Sequence, residues 1–244
     1  MTAYHGGKQR IGKKLAQVIY DESMNISEKD GFQIKGYCEP FCGMLGVYQH
    51  IPEKFEDQKP NLEYKAGDTN QSVIMLWKAV QQGWVPPCKV SEIEYNRLKN
   101  APDSAKKGYV GHQYSFGGQY FKGYAPNYGK SSDSSPAVKR VTNIAKKVSN
   151  VSFSAKPYTE YSKLKNYVIY CDPPYNNREQ WYKGCFDSDK FYEWCREMSE
   201  NNIVFVSEYN APDDFQKIWS KDVKITGLQC KGTYISRTEN LYLV

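Results

Sequence analysis

Residues 167–175 read Tyr167-Val168-Ile169-Tyr170-Cys171-Asp172-Pro173-Pro174-Tyr175. The first four residues are β-branched or aromatic, the composition of a buried strand. Two consecutive prolines stop that strand at once, because neither has an N–H to give a sheet ladder. The product is a stiff turn at the carboxyl end of a strand, where open α/β sheets hold their ligands. The turn carries a carboxylate, proline carbonyls and an aromatic ring, a set suited to a flat molecule with an amino group on its edge. An Asp-Pro-Pro-Tyr turn can also simply end a strand, so the rest of the chain has to decide.

Working outward, strands and helices alternate on both sides of this turn. Upstream, Ile11, Leu15, Val18 and Ile19 have amphipathic helical spacing, and residues 34–41 (Ile-Lys-Gly-Tyr-Cys-Glu-Pro-Phe) form a strand ending in an acid and a proline. Gly43 and Gly46 follow, with Leu45 and Val47 entering an expected helix whose N-terminus could face a cofactor. The spacing is not the dinucleotide Gly-x-Gly-x-x-Gly pattern, so NAD fits poorly. A second strand, Leu62–Ala66, runs into Gly67-Asp68, and Thr69 and Asn70 cap a helix bearing Val73, Ile74, Leu76, Trp77 and Val80. Asp68 is placed either to grip ribose hydroxyls or merely to cap that helix. Downstream come a strand at Val151–Phe153, a helix with Phe191, Trp194, Cys195 and Met198, and a strand at Ile203–Ser207. A helix with Phe215, Ile218 and Trp219 and closing strands at 224–227 and 240–244 complete the pattern. Alternation of this kind gives a mostly parallel, three-layer α/β sheet.

The stretch from Pro86-Pro87 to Asn150 differs in composition. Between Lys99 and Lys165 the acids are Asp103, Asp133 and Glu160, against eleven lysines and one arginine, so the surplus charge of the chain (+6) is concentrated here. Residues 108–129 mix Gly117-Gly118 with Tyr109, Tyr114, Phe116, Tyr120, Phe121, Tyr124 and Tyr128, which reads as a turn or hairpin carrying exposed rings. Rings among lysines suit a nucleic acid; a solvated lysine-rich surface is the other reading. Ser135-Pro136 starts a helix with Ala137, Val141, Ile144 and Val148 on one face and Lys139 and Arg140 off it.

Composition closes several routes. Seven scattered cysteines include no Cys-x-x-Cys pair, and His5, His50 and His112 are far apart, so neither a disulfide framework nor a metal site is expected. Cys38, Cys42 and Cys171 read as core thiols. No apolar run is long enough to span a membrane and no signal peptide precedes the first charges, so an intracellular, cytoplasmic or DNA-associated protein is expected rather than a secreted one.

Taken in order, the motifs resemble those of the Dam-type DNA adenine-N6 methyltransferases of the alpha group. Tyr4-His5-Gly6-Gly7-Lys8 is similar to that family's N-terminal aromatic-x-Gly-Gly-Lys motif, Glu39-Pro40-Phe41-Cys42-Gly43 to its cofactor turn, Asp68-x-Asn70 to its second cofactor carboxylate, and Asp172-Pro173-Pro174-Tyr175 to its catalytic motif. The chain departs from the pattern at Met44-Leu45, where relatives often continue with glycines, and at Lys156, where they often carry an acid.

The resemblance implies a Rossmann-like S-adenosylmethionine-dependent methyltransferase sheet built from residues 1–84 and 151–244, with a target-recognition domain inserted at 85–150. It implies catalysis by Asp172, Pro173, Pro174 and Tyr175. S-adenosyl-L-methionine would lie against Tyr4, Gly7, Lys8, Glu39, Pro40, Phe41, Cys42, Gly43, Asp68, Lys156, Pro157, Tyr158 and Asp172. Double-stranded DNA would meet His112, Gln113, Ser115, Phe116, Lys122, Lys139 and Arg140, with the target base flipped out and Trp181, Tyr182 and Phe186 in the loop beside it. The alternatives are an N4-cytosine DNA, adenine RNA or protein glutamine methyltransferase of the same fold, or an inactive DNA-binding relative. No nuclease motif is present, so a cognate restriction endonuclease would be a separate chain; an oligomer is compatible with the sequence.

Overall fold

A computed structural model describes residues 6–56, 61–125, 136–174, 186–226 and 234–244, with side chains left aside at 224–226 and 234–236. In chain order the elements are α1 (Gly12–Asp30), β1 (Gly36–Glu39), α2 (Pro52–Phe55), β2 (Glu63–Asp68), α3 (Gln71–Gln81), α4 (Glu92–Lys99) and α5 (Ala105–Gln113). They continue with α6 (Pro136–Lys147), β3 (Ser152–Ala155), β4 (Tyr167–Cys171), α7 (Ser188–Ser199), β5 (Ile203–Glu208), β6 (Gln216–Thr226) and β7 (Tyr234–Leu243).

The seven strands form one sheet in the order β3-β2-β1-β4-β5-β7-β6. Strands β1 to β5 run parallel, and β7 lies antiparallel to both β5 and β6. The chain steps outward from β1 to β3, then returns to the middle at β4 and steps the other way. The order therefore reverses between β1 and β4, which pair directly through Gly36–Tyr167 and Cys38–Ile169. A crevice opens at such a reversal because the connections leaving the two strands diverge to opposite sides.

Alternation along the central strands builds the three layers. Tyr37, Val168, Tyr170, Ile203 and Phe205 point into one core with α1, α3, α5 and α6. Cys38, Ile169, Cys171, Val204 and Val206 point into the other with α7. Every residue of β1, β4 and β5 is buried, as expected of strands covered on both faces.

Three expectations are corrected. First, most rings of residues 108–125 are not exposed, although the expected turn is present: Ser115 bridges Tyr124 antiparallel, and Gly117, Gly118 and Gly123 take the positive φ of a turn. Most of α5 lies in this stretch, and Tyr109, Tyr114 and Phe121 are buried in the same core as the sheet, together with Tyr95 of α4 and Val141 and Ile144 of α6, while Phe116 is exposed. Gly108 and Gly111 serve close packing: a Cβ on Gly108 would stand 2.1 Å from the Ser72 carbonyl oxygen, and one on Gly111 would stand 2.3 Å from the Tyr120 ring. The segment 85–150 thus shares a continuous core with the sheet; Tyr128 lies outside the described residues. Second, Phe215-Ile218-Trp219 is not helical. Residues 216–226 form β6 on β7, with a bulge between Lys217 and Trp219 that disguises the alternation. Third, Leu45 and Val47 do not enter an α-helix of any length. Gly43 (φ 44°) and Leu45 (φ 55°) hold left-handed conformations in a tight turn, Val47 precedes a 3-10 turn at Tyr48–His50, and the single turn α2 follows.

Asn70 caps α3, its side chain accepting from the Val73 N–H, as the sequence predicts. Among the described residues no helix is long and apolar enough to cross a membrane. Because the Gly108 Cα faces backbone rather than a yielding side chain, Gly108→Ala should destabilise the fold by about 1–3 kcal/mol through overpacking, measured as a lowered midpoint of one cooperative thermal transition. An unchanged midpoint would mean that α5 does not seat on the first turn of α3.

Candidate active site

The crevice between the ends of β1 and β4 is a solvent-open cleft. Its floor and walls include Gly7, Lys8, Glu39, Phe41, Cys42, Gly43, Asp68, Tyr170, Asp172, Pro173 and Pro174. Residues from four motifs separated by up to 164 positions in sequence therefore meet in one place. Tyr4, Tyr175, Trp181 and Tyr182 lie outside the described residues.

Asp172 follows directly on β4, and its Oδ1 accepts from the Lys8 ammonium at 2.8 Å. The Lys8 side chain is 4 % exposed and that of Asp172 19 %. An ammonium this buried needs compensation, and the carboxylate supplies it. Glu39, at the end of the neighbouring strand, is buried and accepts from the Tyr37 hydroxyl at 2.8 Å. Burial pushes the Glu39 carboxyl well above the usual range; the Tyr37 hydroxyl opposes that rise, and the charge of Asp172 adds to it.

The glycine turn is fixed from two sides. Asp68 accepts the Gly43 N–H at 3.0 Å through Oδ2 and the Asn70 N–H at 2.8 Å through Oδ1. The Trp77 indole donates to the Gly43 carbonyl at 2.9 Å, and Cys42 N–H reaches the Gly67 carbonyl at 2.7 Å. Burial raises the Asp68 carboxyl, while the two amides pull it back. Asp68 thus caps locally and lines the cleft at once, so its two sequence readings are compatible. Pro40 is buried behind this turn, and Cys38, Cys42 and Cys171 are buried thiols whose burial pushes their ionisation upward, which leaves no nucleophilic cysteine among them.

Beyond Phe41 lies an aromatic shelf. Tyr158 stacks on Phe41 with centroids 5.6 Å apart and planes at 28°, and Phe186 and Phe191 meet Phe41 edge-on. Phe186 therefore has a packing role here. Pro157 is exposed, and Lys156 turns to the face of Tyr161, 4.0 Å from the ring centroid, so of the residues 156–158 it is Tyr158 that connects to the cleft wall.

Three of the residues expected to meet DNA, His112, Gln113 and Ser115, are buried. His112 Nδ1 is 3.0 Å from the Gly118 carbonyl, and the Ser115 hydroxyl donates to the Gly111 carbonyl at 2.6 Å and meets the Tyr95 hydroxyl at 2.7 Å. His112 and Ser115 hold α5 and the turn after it together, and all three side chains are buried in this arrangement. Phe116 is 56 % exposed, Lys122 and Lys139 are exposed, and Arg140 is half-buried.

Two residues of the site were not singled out from sequence. Glu208 ends β5, buried, its Oε1 accepting the Tyr209 N–H at 2.8 Å. Glu239, on β7, places Oε2 3.4 Å from the Lys8 ammonium. Glu208 could have been found by the rule that served for Asp68 and Asp172, a carboxylate at a strand's carboxyl end. Glu239 lies within a strand and carries no such signal. Among the described residues no group of His, Cys, Asp and Glu could hold a metal ion.

No family model matches the chain, and no curated protein does. Two solved structures resemble it at a TM-score of 0.37. One is the rRNA methyltransferase aviRa from Streptomyces viridochromogenes, with 11 % identity, covering 95 % of this chain and 84 % of that one. The other is SMU.472, assigned as a candidate methyltransferase and solved in complex with SAH, with 10 % identity, covering 98 % of this chain and 54 % of that one. At that level the likeness adds no weight of its own. Strand order and the antiparallel β7 define the fold: a three-layer, Rossmann-like sheet of the S-adenosylmethionine-dependent methyltransferase type.

Burial, with Asp172 and Glu239 adding their negative charge, pushes the Glu208 carboxyl up to about 7; the Tyr209 amide and the Lys8 charge oppose the rise. Between about pH 4.5 and 7 the unfolded chain has lost this proton while the folded chain keeps it. The stabilisation present at low pH is therefore lost as pH rises to about 7 and does not change further above it. Glu208→Gln should gain stability relative to wild type across that window, by on the order of 2–4 kcal/mol, and run parallel to it above. A pH-independent difference in thermal midpoints would show that Glu208 ionises in the ordinary range.

Proposed function

We propose that the chain transfers a methyl group from S-adenosylmethionine to the exocyclic N6 of adenine in duplex DNA. The observation that carries this reading is the Asp172 carboxylate, fixed by a buried lysine at the mouth of a cleft whose other acids are Glu39 and Asp68.

The cleft suits the cofactor chemically. Three carboxylates against one lysine favour a cationic ligand, and S-adenosylmethionine carries both a sulfonium and an ammonium. A positive group beside Glu39 would favour its ionised form and offset the burial that now raises it. Each Asp68 oxygen takes one amide and keeps acceptor capacity for ribose hydroxyls. The left-handed turn at Gly43 lets backbone approach a ligand closely.

The bound cofactor supplies an electrophilic methyl group. The amino nitrogen of adenine is a poor nucleophile because its lone pair is delocalised into the ring. Asp172 and the Pro173 carbonyl accept its two hydrogens, which draws the nitrogen toward a tetrahedral shape and localises the lone pair. Asp172 is also the base beside the proton that the alkylated nitrogen must shed. Catalysis then rests on positioning and on acceptors oriented beforehand, with no covalent enzyme intermediate. The target amino group is inaccessible within a stacked duplex, so the base is flipped out at a cost of a few kcal/mol. The exposed Phe116, Lys122 and Lys139 on the basic segment are the DNA-facing groups this reading uses.

Asp172→Ala should lower the rate of tritiated-methyl transfer to duplex DNA by at least about a hundredfold, with cofactor affinity changed only severalfold. Transfer at the wild-type rate would remove Asp172 from the chemistry. RNA and protein run as parallel acceptors distinguish this reading from the other amino-group substrates of the same geometry.

A further inference from the structure

The reaction proposed above uses Asp172 and leaves the carboxylate of Glu239 beside it without a role. The Lys8 ammonium lies 2.8 Å from Asp172 Oδ1, 3.4 Å from Glu239 Oε2 and 3.5 Å from the Gly6 carbonyl oxygen. An ammonium has three donors on a flexible four-carbon stem, so a single partner leaves its position loose and several define it. The two carboxylates stand on elements of different rigidity. Asp172 follows the last paired residue of β4 and enters the proline turn. Glu239 sits inside β7, opposite Lys221 of β6, and the next residue, Asn240, pairs with Glu208 of β5 and donates its side-chain amide to the Tyr209 carbonyl at 2.7 Å. One end of the bridge is a turn; the other is a strand paired on both edges.

We propose that Glu239 is a positioning residue for methyl transfer: it anchors the Lys8 ammonium, and Lys8 in turn holds the Asp172 carboxylate in its accepting orientation. This rests on the reading of Asp172 as the acceptor of the amino hydrogens. The effect of Glu239 passes through Lys8, whose ammonium it meets. Glu208 lies near the same groups, but the contact with the Lys8 ammonium is made by Glu239.

The test compares Glu239→Thr, Glu239→Gln, Lys8→Met and the double variant Lys8→Met/Glu239→Thr. Threonine suits a strand and is too short to reach Lys8; glutamine keeps an acceptor of the same reach and drops the charge. Glu239→Thr should lower kcat about ten- to a hundredfold, with KM for DNA and cofactor affinity within about threefold. Glu239→Gln should recover most of that loss. With Lys8 already replaced, Glu239→Thr should add less than about a further twofold. Losses that add in full, or a loss that sits in KM, would overturn the proposal. The nitrogen-15 NMR signal of the Lys8 side chain provides a readout that needs no turnover: its protons should exchange slowly in the wild type and in Glu239→Gln, and fast in Glu239→Thr. Unchanged exchange in Glu239→Thr would also overturn it. Should that variant not fold, Glu239→Val removes the same contact with a strand-forming side chain. A wild-type protein that methylates no DNA would defeat the functional reading, while the exchange measurement would still decide whether Glu239 anchors Lys8.

Discussion

The contact on which the site depends is the ion pair between Lys8 and Asp172. It joins a residue before the first helix to the end of the fourth strand, 164 positions later. A lysine buried this far is tolerable only when its charge is compensated, and removing one partner of such a pair costs on the order of 3–5 kcal/mol. The pair therefore ties the N-terminal Gly-Gly-Lys segment to the cleft and holds the carboxylate on which the proposed chemistry rests. Gly6 and Gly7 let the backbone lie against the cleft wall while Lys8 turns inward, and Gly6 takes the left-handed conformation (φ 79°) that allows it.

The sheet makes this convergence possible. Reversal of strand order between β1 and β4 brings the ends of β1, β2, β4 and β5 to one edge, and each ends in or is followed by an acid: Glu39, Asp68, Asp172 and Glu208. Their surroundings then set them apart. Asp68 is held by two backbone amides and Asp172 by an ammonium, while Glu39 and Glu208 are buried with weaker support and are pushed upward. Four carboxylates at one edge thus sit in different electrostatic surroundings. That is the condition under which such groups can take different roles at one site.

Three of the four strand-end acids were legible in the sequence because each combines a short apolar run with an abrupt stop: Pro40 after Glu39, Gly67 before Asp68, Pro173-Pro174 after Asp172; Glu208 has no such stop beside it. The bridge through Glu239 was not legible, since nothing local in Thr238-Glu239-Asn240 signals a partner at Lys8. The aromatic stretch 108–125 misled for a physical reason. Glycine in a sequence looks like a turn, but at Gly108 and Gly111 it removes the side chain where α3 and the Tyr120 ring press against α5. Most rings that look exposed among lysines then belong to the core, and His112 and Ser115 are spent on holding the segment together. The bulge in β6 similarly broke the period-two pattern and gave Phe215-Ile218-Trp219 a helical appearance.

The central claim is that the Asp172 turn delivers a methyl group to the amino nitrogen of adenine in DNA. Its most direct measurement is mass spectrometry of nucleosides released from duplex DNA after incubation with the protein and isotopically labelled S-adenosylmethionine. The account predicts labelled N6-methyladenine as the product. Label in N4-methylcytosine, or transfer to RNA or protein in place of DNA, would contradict it.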